Sequence, residues 1–438
     1  MLPVWVDDAF DRQRTRDPFG HSVHVFLGML TCLALAGPTS AVELGTLPLV
    51  VCAGIRVHRY WRSWLQLVGQ PLMLLGLAWI ALGGLSRFWT AGSPGAWLDE
   101  FGTARWMIVV LALWPISDRR ALLLGALATG FALAQLSQLS HALGTALDIP
   151  ALTWDRLPGR NSGWWDPVVG GSLLTAILGL HLPAALWGKG FWRVLGLLGT
   201  GITLLGILAT GTRGAWIASA GLIVVVLLAA ALRTHPRCRI VKPGLVLLGI
   251  IALGALIASL TIGDQIKSRF DAGSTEIARA VHEHDYTTDT GARIMLNTWA
   301  IQALGEHPIA GVGLGGYEAW CRAHVVSQGI DPASRNYHAH AHNALLQAGA
   351  TLGIPGLLIG IAFVVLMLVG SFDRQPGDGP PGYADGPAFA ILGLLLVSVF
   401  DSIQVNAQTM GLLSVLTLFA LQQRPSPARW QSTYPLAS

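Results

Sequence analysis

Three histidines stand close together at the start of a hydrophobic stretch: His338, His340 and His342, in the sequence HAHAHNALLQ. A neutral histidine can take a proton from a hydroxyl group, and it can also bind a metal ion. A helix would place His338 and His342 on one face and turn His340 away, whereas an extended segment would align all three. We predict that a catalytic base lies among them. Two alternatives stay open: a structural role in capping helices, and a metal site, which no HExxH motif or cysteine pair supports.

Three arginines precede or begin predicted helices. Arg213 starts a hydrophobic stretch, Arg293 lies in the first turn of a predicted polar helix, and Arg160 precedes Asp166-Pro167, a pair typical of a helix start. A cation at a helix N-terminus opposes the helix dipole, but a bound anion makes the same arrangement favourable, because amides and guanidinium then point at one charge. We predict that these arginines bind an anionic group. The alternative is that they extend to lipid headgroups.

The composition places these residues in a membrane protein. The chain has 438 residues, of which 53% are hydrophobic and only 12% charged, with a mean hydropathy of +0.55. Soluble proteins carry roughly twice that charged fraction. The long apolar stretches lack strict alternation, so the fold class predicted is an all-α polytopic membrane protein with about twelve transmembrane helices. These are expected near 22–38, 40–54, 65–84, 104–117, 121–140, 167–187, 194–210, 213–232, 243–262, 343–370, 386–402 and 409–422.

The basic residues orient this prediction. With the N-terminus inside, most lysines and arginines fall in the short cytoplasmic segments, so both termini are expected in the cytoplasm. The domains predicted are residues 1–262 with transmembrane helices 1–9, a large external loop at 263–342, and residues 343–438 with helices 10–12. Within the loop we predict helices near 264–285 and 291–304 and a turn-rich segment at 311–316.

Four short motifs, taken together, resemble a known family. They are GTRGAW at 211–216, DTGAR at 289–293, EHPIAGVGLGGY at 306–317, and His342-Asn343 followed by Gly353 and Gly356. In this order and on one side of the membrane, they are similar to the signature of the O-antigen ligase and O-antigen polymerase superfamily. The predicted helices and the single large late loop extend the resemblance to the whole chain.

The resemblance implies a GT-C-type, metal-independent, inverting glycosyltransferase of the bacterial inner membrane, with its active site on the periplasmic face. The donor would be a glycan on undecaprenyl pyrophosphate. Carried over by position, His342 takes the essential histidine, and Arg213 and Arg293 take the pyrophosphate arginines; Arg160 is our own addition. Which of His338, His340 and His342 lies nearest the acceptor stays open. The partners expected are the lipid-linked donor, the acceptor and membrane lipids, with no cofactor and no nucleic acid.

Several functions fit this resemblance. Ligases pass the glycan to a sugar of lipid A–core, polymerases to another repeat unit, and O-oligosaccharyltransferases to Ser or Thr of proteins. Polymerases often divide catalysis between two sizeable external loops that carry arginines, and here one loop dominates, which favours the ligase. A polysaccharide transporter is a further alternative, but it would require charges at mid-helix depth, and the predicted spans hold few.

Overall fold

The computed structural model describes residues 14–154, 160–233, 267–327, 340–372 and 382–421, and residues 249 and 263 singly. His338 lies outside the described residues, as does the predicted span at 243–262 apart from residue 249. Within the described residues, every regular element is helical. This agrees with the predicted all-α class.

The helices follow one another with short connections. They are α1 (Pro18–Ala34), α2 (Thr39–Ile55), α3 (Val57–Val68), α4 (Pro71–Leu85), α5 (Pro94–Gly102), α6 (Met107–Leu113), α7 (Arg120–Leu147), α8 (Pro167–Trp187), α9 (Phe191–Ala209), α10 (Arg213–Arg233), α11 (residues 267–282), α12 (Asp289–Glu306), α13 (Tyr317–Ser327), α14 (Ala344–Phe372), α15 (Gly386–Ser398) and α16 (Ala407–Ala420).

Most predicted elements correspond to these helices, with α8 at the predicted bounds. The prediction at 65–84 differs: two helices, α3 and α4, cover this region, because Pro71 begins a new helix. The α2–α3 pair bends by 101°. Two short helices, α5 and α13, were not predicted; each is too short for a clear periodic signal.

The chain is a multi-pass membrane protein. Within the described residues, six helical stretches are long and apolar enough to cross a membrane, or seven if the bent α2–α3 pair forms one span. Three shorter apolar helices, Pro18–Ala34, Tyr383–Ser398 and Ala407–Ala420, accompany them. The figure of twelve spans stays a prediction.

Helix α8 lies at the centre of the bundle, since 94% of the residues in its 18-residue apolar stretch are buried inside the protein. Small residues let its neighbour α15 approach closely. A Cβ added at Gly179 would stand 2.3 Å from the carbonyl oxygen of Phe389, and one at Gly393 would stand 2.7 Å from that of Thr175. Close backbone approach at small residues is the usual way in which membrane helices pack.

The helices α12 and α13 form a second core with the start of α14. Its buried members include Leu296, Trp299, Tyr317, Ala341 and Ala350. Because Ala341 and Ala350 flank the N-terminal turns of α14, this core fixes the polar helices on the end of a membrane helix. The histidine segment therefore lies where the two cores meet.

Two glycine-containing motifs bind each other beside this core. Gly353 has φ +67° and interrupts α14, and the next amide, of Ile354, donates to the carbonyl oxygen of Pro308 at 2.7 Å. The amides of Val312 and Gly313 donate to the carbonyls of Ala350 and Thr351 at 2.9 and 2.8 Å. The turn-rich segment predicted at 311–316 is confirmed, and its function is to attach the outer helices to α14.

Candidate active site

The histidine segment is not helical at residues 340–343, so the helical alternative for the cluster is wrong for this part. The rings of His340 and His342 lie side by side, with centroids 4.5 Å apart. The side chain of Asn343 then caps α14 by accepting from the amides of Leu345 and Leu346, both at 3.1 Å. His342 itself has φ +56°, a left-handed conformation that costs a residue with a Cβ about 1–2 kcal/mol. Its backbone is thus held in an uncommon conformation at the candidate site.

Asp401 is the carboxylate that faces this histidine pair. Its Oδ1 lies 3.4 Å from Nδ1 of His342, and the residue is only 3% exposed. Burial favours a raised pKa for Asp401, but the close contact with the His342 ring and the nearby charges of His340 and Arg293 outweigh burial and hold that pKa below its usual range. Asp401 was not among the predicted site residues, because the predicted span at 386–402 includes it. The available signal was a single carboxylate at the end of an apolar stretch.

The segment that carries Asp401, residues 399–402 between α15 and α16, connects the histidine to one of the predicted arginines. Nη1 of Arg293 donates to the carbonyl oxygen of Phe400. Asn343 donates from Nδ2 to the carbonyl oxygen of Val399 at 3.2 Å. Burial lowers the pKa of the Arg293 guanidinium, and the carboxylates of Asp401 and Asp289 oppose this effect. Residues 399–402 therefore contact both the His342-Asn343 pair and Arg293.

Arg213 begins α10, as predicted, and it already has an anionic partner. Its Nη2 lies 2.8 Å from Oε2 of Glu276 on α11. The same oxygen accepts from the amide of Thr290 at 3.2 Å and from the Thr290 hydroxyl, in the first turn of α12. Burial favours a raised pKa for Glu276, but these donors and Arg213 outweigh it and keep that pKa low. Two helix starts thus converge on one carboxylate, whereas the predicted binding of an external anion there stays a prediction.

Arg160 lies near the other two arginines. Its Nη2 is 4.0 Å from Oδ2 of Asp289, and its side chain packs on Gly211, where an added Cβ would stand 3.2 Å from Cγ of the arginine. Burial lowers the pKa of Arg160, and the positive charges of Arg269 and Arg213 act in the same direction. Arg213 also lowers the pKa of Arg293. The three predicted arginines therefore lie in one region, where the carboxylates of Glu276, Asp289 and Asp401 accompany them.

The same histidines could also hold a cation. Ligand atoms of His340, His342 and Asp401 all lie within 4.8 Å of one another, and imidazole with carboxylate is a common ligand set for Zn²⁺. The positive charge of Arg293 next to Asp401 opposes such binding. The predicted absence of a metal stays a prediction.

Part of the sequence matches a known protein family and a known protein. The model of a family described as O-antigen ligase matches residues 198–361. An uncharacterized protein of Haemophilus influenzae is 30% identical over 165 residues, which is 37% of this chain and 39% of that protein. The chain thus matches about two fifths of that relative's length. The family match includes Arg213, Arg293 and His342 but neither Arg160 nor Asp401. This match, with the helical membrane architecture, supports membership of the chain in the O-antigen ligase superfamily.

Proposed function

We propose that this protein is an O-antigen ligase. It would transfer a glycan from undecaprenyl pyrophosphate to a sugar hydroxyl of lipid A–core, at the periplasmic face of the bacterial inner membrane. The observation that carries the proposal is the 399–402 segment, which joins a His–Asp pair to a buried arginine. A base beside a cation is what hydroxyl attack on a glycosyl pyrophosphate requires.

His342 is the proposed base. Because its Nδ1 faces Asp401, Nε2 is the nitrogen that accepts the proton of the acceptor hydroxyl. The hydroxyl oxygen attacks the anomeric carbon and forms the new glycosidic bond with inversion. The bond from that carbon to the pyrophosphate oxygen breaks, and its electron pair leaves with undecaprenyl pyrophosphate. Asp401 stabilises the imidazolium that this step produces.

The arginines are the proposed site of the leaving group. Arg293 donates to the carbonyl oxygen of Phe400, the residue before Asp401, so the guanidinium charge is close to the proposed base. Arg213 is paired with Glu276, and the pyrophosphate would compete with that carboxylate for the guanidinium. Arg160 adds positive charge at the edge of the same region. Because arginines supply the countercharge, we propose that no divalent metal is required.

An apolar cavity next to the site supports a lipid-linked substrate. It extends between α4, α14, α15 and α16, and its walls include Trp79, Phe363, Ala344 and Gln404. Ala344 immediately follows Asn343, and Gln404 donates from Nε2 to the Ala344 carbonyl at 3.0 Å. The polar end of this cavity thus adjoins the histidine segment, while its apolar walls suit a hydrocarbon chain.

A transfer assay tests the proposal. The purified protein would be incubated with an undecaprenyl-pyrophosphate glycan and, in separate reactions, with lipid A–core, a repeat-unit acceptor and a Ser/Thr peptide. We expect product on lipid A–core, a rate lowered by roughly 10²–10⁴-fold in His342→Ala, and full activity in EDTA. Complete loss in EDTA that Mg²⁺ restores would contradict the metal-independent mechanism.

Other outcomes would assign the protein to another branch. Product only on the repeat unit would make it an O-antigen polymerase, and product only on the peptide would make it a protein O-oligosaccharyltransferase. Both use the same donor and the same base. A His342→Ala variant that still moved glycan across the membrane, with no transfer by the wild type, would favour a transporter.

A further inference from the structure

A line of hydrogen bonds connects α5 with the histidine segment. Gln347 is fully buried, and its Oε1 accepts from the amide of Ala341, the residue between His340 and His342, at 2.8 Å. Its Nε2 donates to Oε1 of Glu100 at 2.9 Å. The other Glu100 oxygen, Oε2, accepts from the amide of Gly315 at 2.6 Å. Glu100 therefore joins three segments that are far apart in sequence.

The direction of every bond in this line is fixed from its two ends. The amides of Ala341 and Gly315 can only donate. Gln347 must turn its oxygen to Ala341, so it presents its NH₂ group to residue 100. Residue 100 consequently faces two donors and needs two acceptor oxygens. Among side chains of this length, only a glutamate carboxylate provides both.

We propose that Glu100 is a positioning residue for the histidine base, acting through Gln347 and the amide of Ala341. The kinetic test of this inference rests on the proposed function, because it measures glycan transfer. His342 has φ +56°, and such a conformation persists only where the surroundings enforce it. The Ala341 amide directly before His342 and the Asn343 side chain directly after it are the two neighbouring contacts that can do so, and Glu100 acts on the first of them. Glu100 lies outside the part of the chain that matches the family model.

Exchanging the two side chains gives a sharp test. In Glu100→Gln the new amide has one acceptor and one NH₂ group, so one NH₂ or N–H always faces another donor, whichever way Gln347 turns. In Gln347→Glu two carboxylates face each other. The double variant restores every bond. Its new amide at position 100 would accept from Gly315 and donate to the new carboxylate at position 347, whose second oxygen accepts from Ala341.

We expect each single variant to lower kcat roughly 10- to 100-fold, because a small displacement of a catalytic group has effects of this size. The donor KM should stay near the wild-type value, since the arginines are untouched. The double variant should recover most of the lost rate, and rates are to be expressed per folded protein. Glu43→Gln is the matched control: Glu43 forms an exposed ion pair with Arg105, and its loss should leave the rate unchanged.

A second readout does not need transfer activity. Diethyl pyrocarbonate modifies accessible neutral histidines, and mass spectrometry follows the peptide that contains His342. Its modification rate should change in Glu100→Gln and return in the double variant. A wild-type rate in Glu100→Gln, or a double variant no better than the single ones, would overturn the inference.

The two proposals can fail separately. A wild type that transfers to no acceptor would refute the proposed function alone, and the modification rates would still decide the role of Glu100. If Glu100→Gln does not fold, recovery of folding and modification rate in the double variant decides it.

Discussion

Replacing Asp401 with asparagine removes one charge from the candidate site and changes little in shape. The asparagine NH₂ group could donate to Nδ1 of His342, which would move the histidine proton to Nε2. An Nε2 that already carries a proton cannot accept one from the acceptor hydroxyl. Asp401→Asn should therefore impair the base through its tautomer and through the lost stabilisation of the imidazolium.

The size of the effect follows from the geometry. Two unit charges separated by the 3.4 Å between Nδ1 and Oδ1 attract by about 5 kcal/mol at an effective dielectric constant of about 20, which is an upper limit. General base catalysis contributes roughly 10²–10⁴-fold in total. We expect kcat to fall about 10²–10³-fold, because tenfold corresponds to about 1.4 kcal/mol and part of the attraction is lost to solvation.

The assay is transfer from the lipid-linked donor, with Asp385→Asn as the control. Asp385 is also buried and accepts from Nε1 of Trp187 at 2.7 Å, but it belongs to the connection before α15. Its variant should lose stability without a comparable loss of kcat. The double variant Asp401→Asn with His342→Ala should be no slower than His342→Ala alone. Asp401→Asn at the wild-type rate, or losses that multiply in the double variant, would refute the His–Asp mechanism.

Three further predictions concern stability and metal binding. Gly353→Ala should lower the melting temperature, since Gly353 has φ +67° and the new Cβ would stand 2.7 Å from the Pro308 carbonyl oxygen. Gly360→Ala in the same helix is the control and should leave the melting temperature unchanged, because its Cβ meets nothing within 4 Å. Equal melting temperatures of the two variants would contradict the attachment of residues 308–313 to α14 at Gly353. The lowered pKa of Glu276 stabilises the fold above the usual value of 4.5, and this contribution is lost as the pH falls through the lowered pKa. Glu276→Gln should therefore melt below the wild type at neutral pH, with a gap that closes on acidification; a gap independent of pH would be inconsistent with an ionised Glu276. Added Zn²⁺ should inhibit transfer reversibly, because the ligand atoms of His340, His342 and Asp401 lie within 4.8 Å of one another, and an unchanged rate would show that no such site forms.

The amino-acid sequence alone determined the class of the protein and most of its helices. Long apolar stretches without strict alternation satisfy their backbone in lipid as helices, and the Asp166-Pro167 pair marks the start of α8. Local chemistry also predicted the helix near 291–304, whose observed cap is the Thr288 hydroxyl accepting from the amide of Gly291 at 3.1 Å, and the helix start at Arg213. These features depend on neighbours within a few residues, which a sequence displays directly.

The partners of the site were decided only by the tertiary structure. Nothing local connects Asp401 with His342, Phe400 with Arg293, or Glu100 with Gln347, because these contacts join segments from different helices. Their formation depends on how α14, α15 and the polar helices pack, through close approach at glycines and through two separate cores. The sequence thus indicated which residues could do chemistry. The packing selected the carboxylate that accompanies the proposed base and the glutamate that pairs with Arg213.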